Sequence, residues 1–361
     1  MLLRFLALLA VFPLWAVLTH GQKYSNEFLS IGVGARAQAM GNSVIANVND
    51  VTAGVWNPAG LAAMDPQYTV ELGAMHSEWF AGLGKFDYLA ATLPLANPRK
   101  RLAFSVIRFG IDNIPNTLSL YESDGTINFD NLQEFSAADY AVLLSYGQPL
   151  AFVKKGELLL GGSVKVVHRR IGPFANSWGF GLDAGLQYRL QGLRIGFLAK
   201  DITTTFNAWS FNFSDSDKEI LNLTGNEVPI NSLEITRPQL ILGAGYAFQW
   251  GKVSFLPELN LVFTTDGRRN TLLSAEPISM DPSFGLEVGY NGFVFLRGGL
   301  NQFQRETDFD EAESITLRPS MGVGLRIGTF FIDYAFTDPG DQRNTFSHVF
   351  SLRLAFRKKK S

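Results

Sequence analysis

From Phe104 to Phe356 the chain repeatedly alternates apolar and polar side chains over ten or so residues, then turns sharply. The last run is the clearest. Phe346, His348, Phe350, Leu352, Leu354 and Phe356 fall on one side, and Ser347, Val349, Ser351, Arg353 and Ala355 on the other. A period of two belongs to β-strands, because successive side chains leave opposite faces of the backbone. Long runs with Phe and Leu on one face and Arg, Ser and Gly on the other suit a transmembrane barrel with lipid outside and a polar lumen within. The 30 Phe and 35 Gly fit that reading. Aromatic side chains serve a lipid face and its girdles, and Gly keeps a narrow lumen from overfilling. A soluble sandwich or lipocalin-like barrel needs neither such long strands nor so many outward Phe. With 18% charged residues and a net charge of −2, a basic nucleic-acid binder is excluded.

The start of the chain points to export. Residues 1–21 carry one early cation, Arg4, then an apolar run from Phe5 to Leu18, with Thr19 and Gly21 placed for cleavage before Gln22. This is the pattern of a signal peptide; the run is too short for a membrane anchor. No later apolar run reaches spanning length, so insertion must be through strands. The chain has no Cys, which excludes a lipoprotein anchor, disulfides, a thiolate metal site and a Cys nucleophile.

The pattern predicts an all-β fold, a 14-stranded antiparallel transmembrane β-barrel over residues 67–356. Strands are expected near 67–76, 85–95, 100–112, 136–148, 156–170, 177–190, 193–203, 236–249, 252–266, 282–290, 293–302, 315–327, 329–338 and 344–356, followed by a basic tail, 357–361. Gln191-Gly192, Trp250-Gly251, Asn291-Gly292 and Gly328-Thr329 read as tight turns. Between them lie long links, Asp112 to Ser136, Ile202 to Thr236, Asp266 to Pro282 and Gln302 to Ile315. Short turns on one rim and long loops on the other are the periplasmic and extracellular ends of such barrels. Both termini are then expected on the short-turn side.

Strand parity turns Trp178, Phe180, Leu182, Leu186 and Tyr188 to lipid and Asp183, Gln187 and Arg189 inward. The same parity gives inward Lys165, Glu258, Glu287, Arg318, Arg326, Asp333 and Arg353. These charges fit either a selectivity filter or a paired network in a filled lumen, and pairing is the expectation, since an unpaired charge away from water is costly.

Residues 22–66 do not alternate. Small residues dominate from Leu29 to Leu61, so the segment must pack inside something and cannot build a core of its own. An N-terminal hatch in the lumen, starting from the periplasm, is the expectation. Asn57-Pro58-Ala59-Gly60 has turn chemistry. The run Gly34-Ala35-Arg36-Ala37-Gln38-Ala39-Met40-Gly41-Asn42, then Asn49-Asp50-Val51-Thr52-Ala53 and Trp56-Asn57-Pro58-Ala59-Gly60-Leu61, closely resembles the opening of the PorV/PorQ family of FadL-like outer-membrane barrels. The motif covers about thirty residues, with Gly34, Arg36, Gly41, Asn57, Pro58, Ala59 and Gly60 at its centre. The resemblance implies a fourteen-stranded barrel with a hatch, in the outer membrane of a Bacteroidetes-type bacterium. It also implies an accessory role in type IX protein secretion, with a large outer-membrane translocon or secreted cargo domains as partners. The wider FadL-like group implies the alternative, a channel for hydrophobic solutes.

Other signals are weak. Gly32-x-Gly34-x-x-Ala37 lacks the preceding strand of a dinucleotide fingerprint. Asp308, Asp310 and Glu311 cluster in a predicted outer loop, where a solvated loop outweighs a Ca²⁺ site. Four scattered His offer no catalytic or metal spacing, so no enzyme activity, cofactor or metal is expected. The expected contacts are outer-membrane lipid and no nucleic acid. Aromatic residues in the links, Trp209, Phe211 and Phe213 above all, fit either a docked partner or a bound hydrophobic ligand.

Overall fold

A computed structural model describes residues 25–120, 126–150, 155–307, 313–338 and 346–357. The signal-peptide segment, the acidic cluster Asp308, Asp310 and Glu311, and the tail beyond Arg357 lie outside them. The strands are β1 (Tyr68–Trp79), β2 (Gly84–Pro94), β3 (Arg101–Asn116), β4 (Gln133–Leu150), β5 (Glu157–Ile171) and β6 (Ala175–Leu190). A broken β7 follows (Leu193–Lys200, then Thr205–Phe211), and a broken β8 (Ser232–Thr236, Gln239–Tyr246, Phe248–Trp250). The rest are β9 (Val253–Thr264), β10 (Ser279–Tyr290), β11 (Val294–Thr307), β12 (Glu313–Ile327), β13 (Phe330–Thr337) and β14 (Ser347–Arg357). Each pairs antiparallel with its neighbours, and β14 pairs with β1 from Tyr68↔Arg357 to Glu78↔His348. The sheet is therefore a closed fourteen-stranded barrel, the architecture that the alternation predicts.

The tight turns fall where the sequence places them except that the one expected at Trp250-Gly251 lies one residue on, at Gly251-Lys252, and Asn291 and Gly292 both take positive φ, as a two-residue hairpin of the primed type needs. The long links are shorter than expected. β3 runs on to Asn116 and β4 starts at Gln133, while β11 and β12 extend to Thr307 and back from Glu313. Polar residues hid these extensions, because a strand beyond the membrane no longer needs an apolar face. The link after Ile202 is itself structured. β7 resumes at Thr205, a helix α1 (Asp215–Leu223) follows, and β8 returns to pair with it, Thr205↔Thr236 to Trp209↔Ser232. Ser214 caps α1 in a reciprocal box with Asp217.

The segment before β1 fills the lumen, but its direction differs from expectation. Its first described residues sit at the long-loop end. Asn207 donates to Ser25 Oγ at 2.9 Å and to Asn26 Oδ1 at 3.0 Å, and Asn26 donates to Thr236 Oγ1 at 2.9 Å. The chain then descends through two short helical turns, Ala35–Ala39 and Ala53–Trp56, and a 3-10 stretch, Pro58–Ala63, to the start of β1. Strand parity fixes only where β1 begins, so it carried no information on the end from which the plug enters.

Close approach of two backbones seals the plug. Gly73, Gly147, Gly161, Gly185, Gly196, Gly285, Gly299 and Gly322 lie on the lumen face of eight strands, and a Cβ added at any of them would overlap a plug atom. At Gly161 it would lie 2.2 Å from the Pro58 carbonyl carbon, and at Gly299 2.1 Å from the Gly41 nitrogen. Gly243 serves β8 in the same way, 3.0 Å from the Ala46 nitrogen. Where the wall is not Gly it is small: Ser145 and Ser163 donate to the Gly54 carbonyl at 2.9 and 3.0 Å, and Ser351 accepts from the Ala35 nitrogen. Gly41 answers from the plug side, and Gly60 allows the same closeness within the plug. A Cβ at Gly41, already at φ 59°, would lie 2.8 Å from the Leu300 nitrogen, and one at Gly60 2.3 Å from the Val48 carbonyl oxygen.

Gly161 and Gly162 give a paired test, since a Cβ on outward Gly162 meets only the Asp183 carbonyl oxygen at 3.5 Å. Gly161→Val is expected to unseat the plug and expose residues 35–63 to protease in a detergent-folded barrel. Gly162→Val should leave the digestion pattern unchanged. Equal protection of both variants would contradict the close-contact account.

Candidate functional site

Charge joins the plug to one side of the wall. Arg36 reaches Glu287 at 2.8 Å, Glu287 also meets Arg297 at 2.7 Å, and Arg297 continues to Asp333 at 2.7 Å. Arg353 completes the chain with Asp50 at 3.2 Å and Glu71 at 3.3 Å, while Glu71 accepts from the Val51 nitrogen at 2.8 Å. Every member is largely withdrawn from water, so the pairing is what makes the charges tolerable there. Burial pushes the Asp50 carboxyl up, but Arg353 and Arg36 overcome it and hold the group below its ordinary value. The space left among Arg36, Asp50, Tyr88, Asp333 and Arg353 is about 20 Å³, the size of one water molecule.

The other lumen charges divide by height. Glu258 accepts from the Ala46 nitrogen at 2.7 Å and from Asn47 at 2.6 Å, holding the middle of the plug. Lys165 is buried between Asp183 at 2.8 Å and Asp201 at 2.6 Å, where β7 is interrupted. Arg189 donates to Gln187 at 3.0 Å, and Arg326 donates to the Tyr68 hydroxyl at 2.9 Å near the short-turn rim. Arg318 faces inward, half-buried, apart from the plug network. The hatch residues also have local duties. Gly34 takes φ 88° before the first helical turn. Asn57 caps the 3-10 stretch by accepting from the Ala59 nitrogen, and it donates to the carbonyls of Ile45 and Leu186 at 3.0 and 3.1 Å. Pro58 lies against Gly147 and Gly161.

Above the plug is a cavity of about 480 Å³ that reaches the loop at Arg269, Asn270 and Thr271. Leu29, Ile45 and Trp56 of the plug and Ile241 and Val262 of β8 and β9 give it an apolar side. The Trp56 indole is fixed by donation to the Val33 carbonyl at 2.8 Å. Asp281, Ser283, Asn301, Gln302 and Gln304 make the opposite side polar. Lys200 adds a cation at the β7 break, its Nζ donating to the Leu29 carbonyl at 3.4 Å. Arg269 lies 3.8 Å from Glu27, linking the loop to the first turn of the plug.

Trp209 and Phe211 of β7, Phe213 just beyond it and Phe174 form a ladder on the inner face of the long-loop rim. Trp209 stacks with Phe211, Phe211 with Phe213 and Phe213 with Phe174, at centroid distances of 6.1, 6.4 and 5.6 Å. Phe135 meets Phe174 edge-on at 5.2 Å. Trp209 also donates to Glu234 at 3.0 Å and lies under the Arg169 guanidinium at 5.1 Å. The rings are half-buried against one another, and they do not line the cavity.

Comparison with solved structures places this architecture. The monoaromatic hydrocarbon channel CymD matches at a TM-score of 0.53 and 14% identity, over 91% of this chain and 99% of that one. The toluene transporter TodX of Pseudomonas putida matches at 0.54 and 13%, over 93% and 98%. A FadL homologue from Pseudomonas aeruginosa matches at 0.51 and 11%, over 90% and 98%. The chain has the fold of the FadL-like outer-membrane barrels. No protein-family model and no curated protein matches it. At these identities the likeness concerns the FadL-like fold, so the PorV/PorQ resemblance still rests on the motif.

Several members of this FadL-like lumen escaped the sequence reading. Arg297 and Glu71 lie at inward parity in β11 and β1, and extending the face assignment to every strand would have found them. Lys200 lies at inward parity in β7 as well, while Asp50, Asp201 and Trp56 carry no such signal, because irregular backbone and a strand break set their directions. Glu287 is the joint most exposed to test, since it serves both Arg36 and Arg297. Glu287→Gln is expected to lower stability by about 3–5 kcal/mol, the range for breaking a buried ion pair. Asp215→Ala, which removes only the surface partner of Lys218, should leave denaturant unfolding of the reconstituted barrel unchanged.

Proposed function

We propose that the protein takes an amphipathic small solute from outside into the lumen cavity above the plug, as one stage of its passage across the outer membrane. The cavity carries this reading. Its volume falls within the range of small-molecule sites. An apolar body fits against Trp56, Ile45, Ile241 and Val262, and a polar or anionic head fits toward Lys200 and the Asn301–Gln304 side. CymD, a monoaromatic hydrocarbon channel, and TodX, a toluene transporter, support a solute role for such a barrel. The ladder Trp209, Phe211 and Phe213 adds half-buried apolar surface at the long-loop rim, apart from the cavity. The glycine contacts close the straight path, so onward passage requires the plug or wall to move.

The second reading, a PorV/PorQ-like accessory of type IX secretion docked to a translocon or cargo, is favoured by the hatch motif alone. Each motif residue has a packing or capping duty within the plug, so the motif follows the plug more closely than any partner. The two readings separate by experiment. In nanodiscs, a medium-chain fatty acid or a monoaromatic is expected to bind the wild-type protein. Ile241→Trp, which fills the apolar side, should weaken binding about tenfold, or ~1.4 kcal/mol by calorimetry. Absence of binding, together with recovery of a translocon from gently solubilised membranes, would reverse the ranking.

A further inference from the structure

The lipid-facing belt is uneven. On β8, β9 and β12 the outward positions remain apolar for at least ten residues from the short-turn end, as far as Leu240, Phe263 and Leu317. On β2 and β3 charge begins seven residues from that end, at Asp87 measured from Pro94 and at Arg108 measured from Arg101. These side chains face outward, since their neighbours Phe86, Tyr88 and Ile107 are buried within the barrel. They form one connected patch. Asp87 meets His76 at 2.7 Å and Arg108 at 3.3 Å, and the next outward charges, Lys85 and Asp112, pair at 3.1 Å. All five remain about one-third to one-half exposed, so their mutual pairing does not withdraw them from what lies outside.

A shortfall of three to five residues along a tilted strand corresponds to roughly 10 Å of membrane height. Tilting the barrel to lift this side is opposed at the other end, where the β2–β3 turn carries Arg99 and Lys100 and would be drawn into hydrocarbon. The remaining adjustment is in the lipid, which thins beside a short belt. We infer that the outer leaflet dips along β1–β3, bringing phosphate-bearing headgroups down onto Lys85 and Arg108. Both signs of charge are present, so the patch suits phosphate and amine groups together. This surface faces lipid, away from the solute cavity on β7–β11, and the inference is independent of the proposed solute role.

The absence of native Cys allows single nitroxide labels to be placed without background. Glu78→Cys and Leu317→Cys each stand ten residues from the short-turn end of their strand, at Tyr68 and Ile327. The full chain is reconstituted in phosphatidylethanolamine–phosphatidylglycerol vesicles, and collision with oxygen and with a neutral nickel chelate is read at each label. The label at 78 is expected to report headgroup depth, with several-fold more nickel relative to oxygen collision than the label at 317, which reports hydrocarbon. Equal hydrocarbon depth at both would overturn the inference. So would loss of both collisions at 78, which would mean that protein covers the patch. Adding Asp87→Leu and Arg108→Leu should move the label at 78 toward hydrocarbon depth, and no movement would also count against it. If that variant does not fold, the comparison of 78 with 317 decides alone.

Discussion

A plug closes a fourteen-stranded barrel only where its backbone can touch the wall on all sides, and here glycine makes that contact. The wall residues facing the plug include Gly161, Gly185 and Gly299, and a single methyl group at any of them would stand in plug atoms. Interiors tolerate such overlap poorly, because packing is close and displacement spreads to neighbours. The hydrogen bonds from Ser145 and Ser163 to Gly54, and the carboxylate of Glu258 on Ala46 and Asn47, are available only because the backbones approach this closely. The ion-pair chain from Arg36 to Arg353 then orients the plug against one side of the barrel.

From this seal follow the shape and the chemistry of the lumen. Glycine contacts hold the plug against the wall, and a cavity of about 480 Å³ remains above it, against Trp56 and Ile45. The cavity is two-faced because its floor is the apolar upper surface of the plug, while β10 and β11 contribute amide and hydroxyl groups. The β7 break is part of the same construction. Asp201 and Thr204 take positive φ there, Asp201 turns inward to Lys165, and Lys200 is left at the cavity edge.

The barrel was legible in the sequence because lipid enforces a strict sorting. An outward charge at mid-depth costs roughly 2–4 kcal/mol, so strand parity had to be kept from β1 to β14. It placed Asp183, Glu287 and Asp333 inward from their positions alone. Where lipid stops acting, the signal stops. The outer ends of β3 and β11 carried no apolar face to mark them, and β7 and β8 were broken by backbone that no period describes. The plug showed its smallness but not its course. Small residues state that something packs closely, while the partners, Gly161 for Pro58 or Glu287 for Arg36, lie more than a hundred residues away. Parity itself also held a detail easily passed over, since Asp87 and Arg108 keep the outward phase and yet are charged.

The sealed plug is tested most directly by ionic current through the protein in a planar lipid bilayer. A lumen closed by backbone contact predicts that the inserted wild-type barrel adds no steady current, and that Gly299→Val, which forces the wall away from Gly41, opens intermittent conductance steps. Steady open-pore conductance from the wild-type protein would contradict the account.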